Sequence, residues 1–337
     1  MDARAQGDHN TPSSGSVRLG VVGLGWWGRV LADAVARSGA AEVVACFART
    51  EADRAGFAAE VGCRAAGSLA ELLAADDVEG VVFATPHTAH LDHVRRAAAA
   101  GRHVFVEKPL ALTVAEARAA VTAADQAGVV LMVGHQRRRQ GPNRRIKQMI
   151  DDGSLGSPLL ADATFIVPSG YPATWRSSRD ETPLGAMTGL GVHMVDTFHY
   201  LLGPITQVAA FSRPVVEGQP LDHATGLLLQ FASGAVGTLL CSHFAPATNR
   251  VAVYGTGGAA VADGDGTRLV VQHAGEAAGH EVEVAAVDPL AEQMAEFAGA
   301  VRGEVPVETG GREALAVVAV MEAAIASART GRAMPVG

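Results

Sequence analysis

Three glycines directly behind a short apolar run constrain this chain more than any other feature. Gly23, Gly25 and Gly28 follow the apolar residues 17–22 and open a helix-like stretch that runs to about residue 38. In a strand–turn–helix unit, such glycines permit a tight turn, let a phosphate approach the backbone and allow the helix to pack closely. The helix dipole also favours an anion at this point. The segment therefore predicts a dinucleotide-binding turn.

Strand-length apolar runs alternate with helix-like stretches through the first half of the chain. This alternation is typical of a parallel sheet with crossover helices, so we predict an α/β, doubly wound Rossmann domain over residues 17–134. Ser68 with Glu71 and Thr113 with Glu116 match the capping box that begins a helix. The predicted strands are 17–22, 42–47, 80–84, 103–106 and 129–133.

A length of 337 residues favours two domains, and we assign residues 135–337 to the second. Residues 263–266, Asp-Gly-Asp-Gly, predict a hairpin turn. The predicted strands are 227–231, 235–241, 250–254, 259–262 and 268–272, and the predicted helices are 290–302 and 311–328.

Composition excludes several classes of partner. The net charge of -8 and pI of 5.8 argue against nucleic-acid binding, and no apolar run is long enough for a membrane span. The three cysteines, Cys46, Cys63 and Cys241, have neither disulfide-framework nor metal-ligand spacing, which favours a reducing compartment. Residues 1–16 are polar and lack the features of a signal peptide, so we expect a disordered tail and a cytoplasmic protein with no bound metal.

The end of the second predicted strand bears on which dinucleotide is bound. An acidic residue there would bind the ribose hydroxyls of NAD, but this chain has Ala48, Arg49 and Thr50 instead. A guanidinium and a hydroxyl suit a 2′-phosphate, and Arg54 lies one helical turn further on. We therefore expect NADP, with NAD as the alternative if Arg49 is merely solvated.

Lysine is rare in this chain, which has only Lys108 and Lys147 among 27 basic residues. Lys108 lies in Glu107-Lys108-Pro109 at the carboxyl end of a predicted parallel strand. Open α/β sheets place their ligand crevice at that end. Lys108 is therefore a candidate for a site that needs a compact ammonium group.

Several motifs together resemble the Gfo/Idh/MocA oxidoreductase family, and the similarity runs from Val17 to the C-terminus. The motifs are the glycine turn, Ala84-Thr85-Pro86-His87 with His90, Glu107-Lys108-Pro109, Gly134-His135-Gln136-Arg137-Arg138, Thr174-Trp175-Arg176, and Gly189-Leu190-Gly191-Val192-His193-Met194-Val195-Asp196.

The resemblance implies an active site between the Rossmann domain and an α/β domain with an open, mostly antiparallel sheet that forms a homodimer or homotetramer interface. It implies hydride exchange between nicotinamide and a secondary alcohol or ketone of a sugar, cyclitol or related small molecule. Lys108 would hold the substrate oxygen and His193 would act as general acid/base near working pH. With the residues discussed above, the expected cofactor-binding set is Gly23, Gly25, Trp26, Trp27, Gly28, Ala48, Arg49, Thr50, Arg54, Ala84, Thr85, Pro86, His87, His90, Glu107, Lys108, Pro109, Gln136, Trp175 and Arg176.

One position departs from the family pattern. Members with the usual pair carry Asp four residues before the catalytic His, where this chain has Gly189. Gly189 has no side chain that could orient the imidazole or accept a proton. Asp196 could orient the ring from the other side, but we expect an exposed charge or a scaffold contact there.

A histidine repeat and an arginine cluster each have both a structural and a functional interpretation. His87, His90 and His93 recur every three residues, yet no recognisable metal set is completed, and the resemblance places His87 and His90 near the nicotinamide. The arginines at 137–139, 144 and 145 form a basic cluster that we expect to be partly solvated, with some of it meeting an anionic cofactor or substrate. The candidate substrate contacts are Tyr171, Trp175, Arg176 and His243.

Two other functions remain open from the sequence. Gly189 is compatible with a dinucleotide-binding regulator that has lost its chemistry, which Lys108 and His193 oppose. A third possibility is an enzyme that uses the dinucleotide transiently for elimination or glycoside cleavage.

Overall fold

The computed structural model describes residues 15–171, 174–215, 217–219 and 221–337. The tail expected over residues 1–16 lies outside the described residues except for Gly15 and Ser16. No helix in the described ranges is long and apolar enough to cross a membrane.

Six parallel strands form the first sheet, in the order β3-β2-β1-β4-β5-β6. The strands are β1 (Val17–Val22), β2 (Ala41–Phe47), β3 (Arg64–Ala65), β4 (Gly80–Phe83), β5 (His103–Val106) and β6 (Leu131–Val133). The helices are α1 (Trp26–Ser38), α2 (Glu51–Val61), α3 (Leu69–Ala74), α4 (His90–Ala99) and α5 (Val114–Ala127). The strand order reverses between β1 and β4, which is where doubly wound sheets open their ligand crevice.

The second sheet has nine strands in the order β14-β13-β12-β11-β7-β10-β9-β8-β15. Neighbouring strands are antiparallel except β7 and β10, which are parallel. The strands are β7 (Pro158–Ile166), β8 (Ile205–Arg213), β9 (Ala224–Phe231), β10 (Val236–Ser242), β11 (Thr248–Gly255), β12 (Gly258–Asp263), β13 (Arg268–His273), β14 (His280–Val282) and β15 (Met334–Pro335). The helices of this half are α6 (Gly141–Asp151), α7 (Val192–Leu202), α8 (Pro289–Val301) and α9 (Gly311–Thr330). The predicted mostly antiparallel sheet is confirmed.

The C-terminal helices return to the first domain. Met294 and Phe297 of α8 belong to the core that contains β1 and α1, and the Phe297 ring lies 5.9 Å from that of Phe105. Val133 donates a backbone hydrogen bond of 2.8 Å to Thr309, just before α9. We propose a domain boundary after Gly134. Helix α8 is assigned to the Rossmann domain because it packs against that domain.

Local signals predicted several element boundaries correctly. Ser68 accepts a hydrogen bond of 3.0 Å from the Glu71 amide, and Thr113 accepts one of 3.2 Å from the Glu116 amide. The predicted hairpin turn joins β12 to β13 and places Asp265 at a φ of 58°. Strand β3 was missed because it has only two residues, Arg64 and Ala65, and both are exposed.

The basic cluster is partly solvated, as expected. Arg145 is exposed, but Arg138 and Arg139 are buried. Arg138 Nε donates to Asp196 Oδ2 at 3.0 Å, and Arg139 Nη2 donates to Glu296 Oε2 at 2.6 Å. These ion pairs connect the domain junction to α7 and α8, so Asp196 makes a scaffold contact and does not orient His193.

Candidate active site

The glycine turn fits a dinucleotide through both its backbone and its open space. Gly23 has a φ of 93°, and a Cβ there would lie 2.3 Å from the Ala84 carbonyl oxygen. A Cβ on Gly28 would lie 2.0 Å from the Gly23 carbonyl oxygen. A Cβ on Gly25 would meet no protein atom within 4 Å, and its φ of -70° is one that any residue can adopt. The fold therefore requires glycine at 23 and 28, whereas at 25 glycine leaves space that a ligand can use.

Helix α1 begins without a side-chain cap. Its N-cap is Gly25, and its first turn has no acidic residue. By contrast, the helices α2, α3, α5 and α8 are capped by Thr50, Ser68, Thr113 and Asp288. The first amides of α1 are therefore available to an anion such as a diphosphate.

A cavity of about 480 Å³ lies between the two sheets. The first domain contributes residues that follow β1, β4 and β5, and the second domain contributes residues from β7, α7 and the loops between them. Of the predicted site residues, those that line the cavity are Trp26, Trp27, Ala84, Thr85, His87, Glu107, Lys108, Gln136, Tyr171, Trp175, Arg176, His193 and His243.

Lys108 enters this cavity from the end of β5. Its Nζ donates a hydrogen bond of 2.8 Å to the carbonyl oxygen of Gly189. Burial lowers the pKa of Lys108 to about 8, because desolvation penalises the ammonium more than the neighbouring Glu107 carboxylate favours it. Lys108 can therefore exchange a proton near neutral pH.

His193 lines the cavity from α7 and is 5% exposed. Burial, followed by the positive charges of Lys108 and Arg137, holds the pKa of His193 well below its usual range. This shift favours the neutral imidazole, and the role of His193 as general acid/base stays a prediction. In this environment His193 is a neutral ring that can accept or donate one hydrogen bond.

Gly189 supplies a carbonyl where the family pattern has a carboxylate. It lies in the short π-helical turn Met187–Gly191, a distortion that is frequent at functional sites. A Cβ at Gly189 would meet no atom within 4 Å. The turn thus gives Lys108 a backbone acceptor and leaves the adjoining volume free of protein atoms.

The three histidines after β4 have different positions. His87 lines the cavity and donates through Nδ1 to the Glu181 carbonyl oxygen at 2.7 Å. His90 does not line it, since it is fully buried between the carbonyl oxygens of Pro109 and Thr85, 2.9 and 3.1 Å from its ring nitrogens. His93 lies 3.0 Å from the Thr85 hydroxyl. His90 therefore braces the loops that carry Thr85 and Lys108, and Pro86 and Pro109 flank those loops outside the cavity lining.

In the loop after β2, two side chains that were predicted to bind the cofactor instead hydrogen-bond nearby backbone groups. Thr50 caps α2 by accepting from the Asp53 amide at 3.3 Å. Arg54 donates to the carbonyl oxygens of Ala48 and Arg49 at 2.9 and 3.2 Å. The side chain of Arg49 is exposed. Arg49 is thus the basic group of this loop best placed to meet a 2′-phosphate, while Arg54 shapes the loop.

Glu181 lies beside the cavity lining and is a residue that no pattern in the sequence singles out. Its carboxylate accepts a hydrogen bond of 3.1 Å from the Thr88 amide, and its carbonyl holds His87. These partners lie 93 and 94 residues apart in the chain, so no local pattern connects them. The contacts hold the loop that carries Trp175 and Arg176 against the Rossmann domain.

Comparison with known proteins gives the family. Residues 17–135 match the model of an oxidoreductase family with an NAD-binding Rossmann fold, and residues 143–261 match the GFO/IDH/MocA C-terminal domain. The chain belongs to the Gfo/Idh/MocA oxidoreductase family. It is 30% identical over 315 residues to the rhizopine catabolism protein MocA of Rhizobium meliloti, an alignment that covers 91% of this chain and 93% of that protein.

Two further relatives extend the comparison. The chain is 32% identical over 189 residues to 1,5-anhydro-D-fructose reductase of Ensifer adhaerens, covering 55% of this chain and 56% of that enzyme. A crystal structure of a proposed NADPH-dependent oxidoreductase from Desulfitobacterium hafniense DCB-2 superposes with a TM-score of 0.90 at 28% identity, covering 95% of this chain and 98% of the other.

Protein atoms crowd Gly28 but not Gly25. Replacing each with alanine should therefore distinguish an effect on folding from an effect on dinucleotide binding. We expect Gly25→Ala to keep its thermal melting temperature but to bind dinucleotide at least about 10-fold more weakly, because the methyl group enters space open only to a ligand. Gly28→Ala should lower the melting temperature, because its Cβ collides with the Gly23 carbonyl oxygen. Calorimetry and a fluorescence titration with NADPH measure both; unchanged NADPH binding by Gly25→Ala would contradict the assignment of the turn.

Proposed function

We propose that this protein is an NADP-preferring dehydrogenase or reductase that acts on a secondary alcohol or ketone of a sugar, cyclitol or related small molecule. The observation that carries the proposal is the position of Lys108 and His193 in one cavity. The same cavity includes the N-terminus of α1, which has no side-chain cap. The name of the Ensifer adhaerens relative, 1,5-anhydro-D-fructose reductase, supports the substrate class.

The residues divide the chemistry between binding and proton handling. Bound nicotinamide would supply or accept the hydride. Lys108 donates a hydrogen bond to the substrate oxygen as an ammonium group and accepts the hydroxyl proton as an amine. His193, held neutral, accepts a hydrogen bond from the substrate and fixes its orientation. The proton role first expected of His193 thereby passes to Lys108.

The two lysines of the chain allow a matched test of this division. Lys108→Met should lower kcat/KM by about 10²- to 10⁴-fold, the usual contribution of an acid/base group. Lys147→Met should retain activity, because Lys147 lies on α6 paired with Asp151 outside the cavity. Steady-state assays that follow NADPH absorbance with sugar and cyclitol panels measure both. Full activity in Lys108→Met would refute the proposal, and tight NADPH binding without turnover would favour a regulator.

The same lysine predicts opposite pH dependences for the two directions. Oxidation requires the amine, so its kcat/KM should rise as pH increases through about 8, the pKa of Lys108. Reduction requires the ammonium group and should fall over the same interval. A kcat/KM for oxidation that does not rise through about pH 8 would contradict proton transfer through Lys108.

The NADP preference is proposed from the loop after β2. That loop has no carboxylate at the end of the strand to bind the ribose hydroxyls, and it exposes Arg49. The Desulfitobacterium hafniense relative, named as NADPH-dependent, supports the same choice.

Replacing Arg49 tests the preference. Arg49→Ala should weaken NADPH binding by about 10-fold or more, as expected for one hydrogen bond to a charged group, and leave NADH binding unchanged. Arg95→Ala, an exposed arginine on α4, is the control. Fluorescence titrations give the four affinities; equal affinities for NADPH and NADH in the parent protein would overturn the preference.

We also propose a homo-oligomer built on the open face of the second sheet. Apolar side chains exposed on neighbouring strands of that sheet are Leu160 of β7, Phe211 of β8, Leu228 of β9 and Leu240 of β10. A patch of this kind on a soluble domain marks an interaction surface.

We further propose a cytoplasmic location. The free thiols of Cys46, Cys63 and Cys241 support it, and cell fractionation would test it.

Charge on this face should separate the subunits. We expect the parent protein to elute as a dimer or tetramer and Phe211→Lys with Leu240→Lys to elute as a monomer, because lysine cannot be buried unpaired at an interface. Size-exclusion chromatography with light scattering measures the mass. A monomeric parent protein would refute the proposal.

A further inference from the structure

The cavity carries an excess of positive charge. Lys108, Arg137 and Arg176 line it, and Glu107 is the one carboxylate among its described lining residues. Burial raises the pKa of Glu107, which further weakens it as a counter-charge. The positive charges of Arg137 and Arg176 both act on Lys108 and disfavour its ammonium form. Oxidised nicotinamide is itself cationic and would not restore the balance.

Arg137 is held rigidly at this site. Its guanidinium carbon lies 4.0 Å above the centre of the Phe165 ring, and Nη1 donates to Asp265 at 2.9 Å. The side chain is 14% exposed, whereas its partner Asp265 is 72% exposed on the β12–β13 hairpin. Within the described part of the chain, the buried Nε of Arg137 has no hydrogen-bond partner. Arg137 thus brings to the cavity a positive charge whose carboxylate partner is screened by solvent.

The volume next to Lys108 is open where the family pattern has a carboxylate. Gly189 presents only its carbonyl to Lys108, and nothing lies within 4 Å of the position its Cβ would occupy. Buried cations without counter-charges are unfavourable, and a ligand that brings a carboxylate relieves this. An arginine fork matches the planar geometry of a carboxylate.

We propose that the substrate is a polyhydroxy acid, a sugar-like or cyclitol-like molecule with a carboxylate that binds Arg137 while its secondary hydroxyl binds Lys108. This inference rests on the proposed function and specifies its substrate class. In oxidation, the alcohol carbon gives a hydride to NADP+, which becomes NADPH, and the hydroxyl proton passes to Lys108. The carbon–oxygen double bond forms, and the carboxylate is unchanged.

Pairs of sugars that differ only in the carboxylate test the proposal. The assay compares D-glucose with D-glucuronate and D-galactose with D-galacturonate, each with NADP+ and the full-length protein. We expect kcat/KM to be at least about 100-fold higher for an acid than for its neutral partner, as for a buried charge-assisted contact. Arg137→Gln should bring the ratio of kcat/KM for the acid to kcat/KM for the neutral sugar to about 1.

A control separates binding from scaffolding. Asp265→Asn removes the ion pair of Arg137 but leaves its charge in the cavity, so this variant should keep the preference for the acid. If both variants lower the activity on acid and neutral sugars equally, Arg137 is only a structural residue and the proposal fails.

The remaining outcomes each decide one claim. Equal kcat/KM for acids and neutral sugars would overturn the carboxylate proposal and leave the oxidoreductase intact, and so would a preference for glucose 6-phosphate over glucuronate. If no substrate is oxidised, the proposed function fails, and calorimetric titration of the NADPH-loaded protein decides the binding claim. In that titration glucuronate must bind more tightly than glucose, and Arg137→Gln must remove the difference; otherwise the proposal is overturned.

Discussion

The Lys108 ammonium group reaches the Gly189 carbonyl oxygen across the domain junction, over a distance of 2.8 Å and a sequence separation of 81 residues. Burial of this cation lowers its pKa to about 8. Burial of His193, followed by the charge of Lys108, lowers the pKa of that imidazole. The site depends on this contact because it fixes the Lys108 nitrogen between the Rossmann crevice and the second sheet. The Lys and His of the family pattern are present as Lys108 and His193, and the Gly189 carbonyl stands where the usual Asp would be.

Such a contact holds only if the two domains are fixed relative to each other. The buried pair of Arg138 and Asp196 ties the junction to α7, and Arg139 with Glu296 ties it to α8. Removal of one partner from a buried pair leaves an unpaired charge at a cost of about 3–5 kcal/mol, so these contacts resist separation of the domains. Glu181 closes the opposite side by holding Thr88 and His87.

The sequence could predict what depends on neighbours in the chain. The glycine turn, the caps at Ser68 and Thr113 and the turn at Asp265 are set by a few adjacent residues, and each formed as expected. Family motifs brought Lys108 and His193 to one cavity. Burial and long-range pairing could not be predicted in this way. Arg138 was predicted as part of a partly solvated cluster, but it is buried beside Asp196. His90 was predicted to contact the cofactor, but both of its ring nitrogens lie against backbone carbonyl oxygens.

A crystal structure of the complex with NADPH tests the central claim most directly. We predict the diphosphate on the first amides of α1 beside Gly25, with the nicotinamide ring in the cavity facing Lys108 and His193. The 2′-phosphate should meet Arg49. A diphosphate bound away from the glycine turn, or a nicotinamide ring outside the cavity that Lys108 and His193 line, would contradict it.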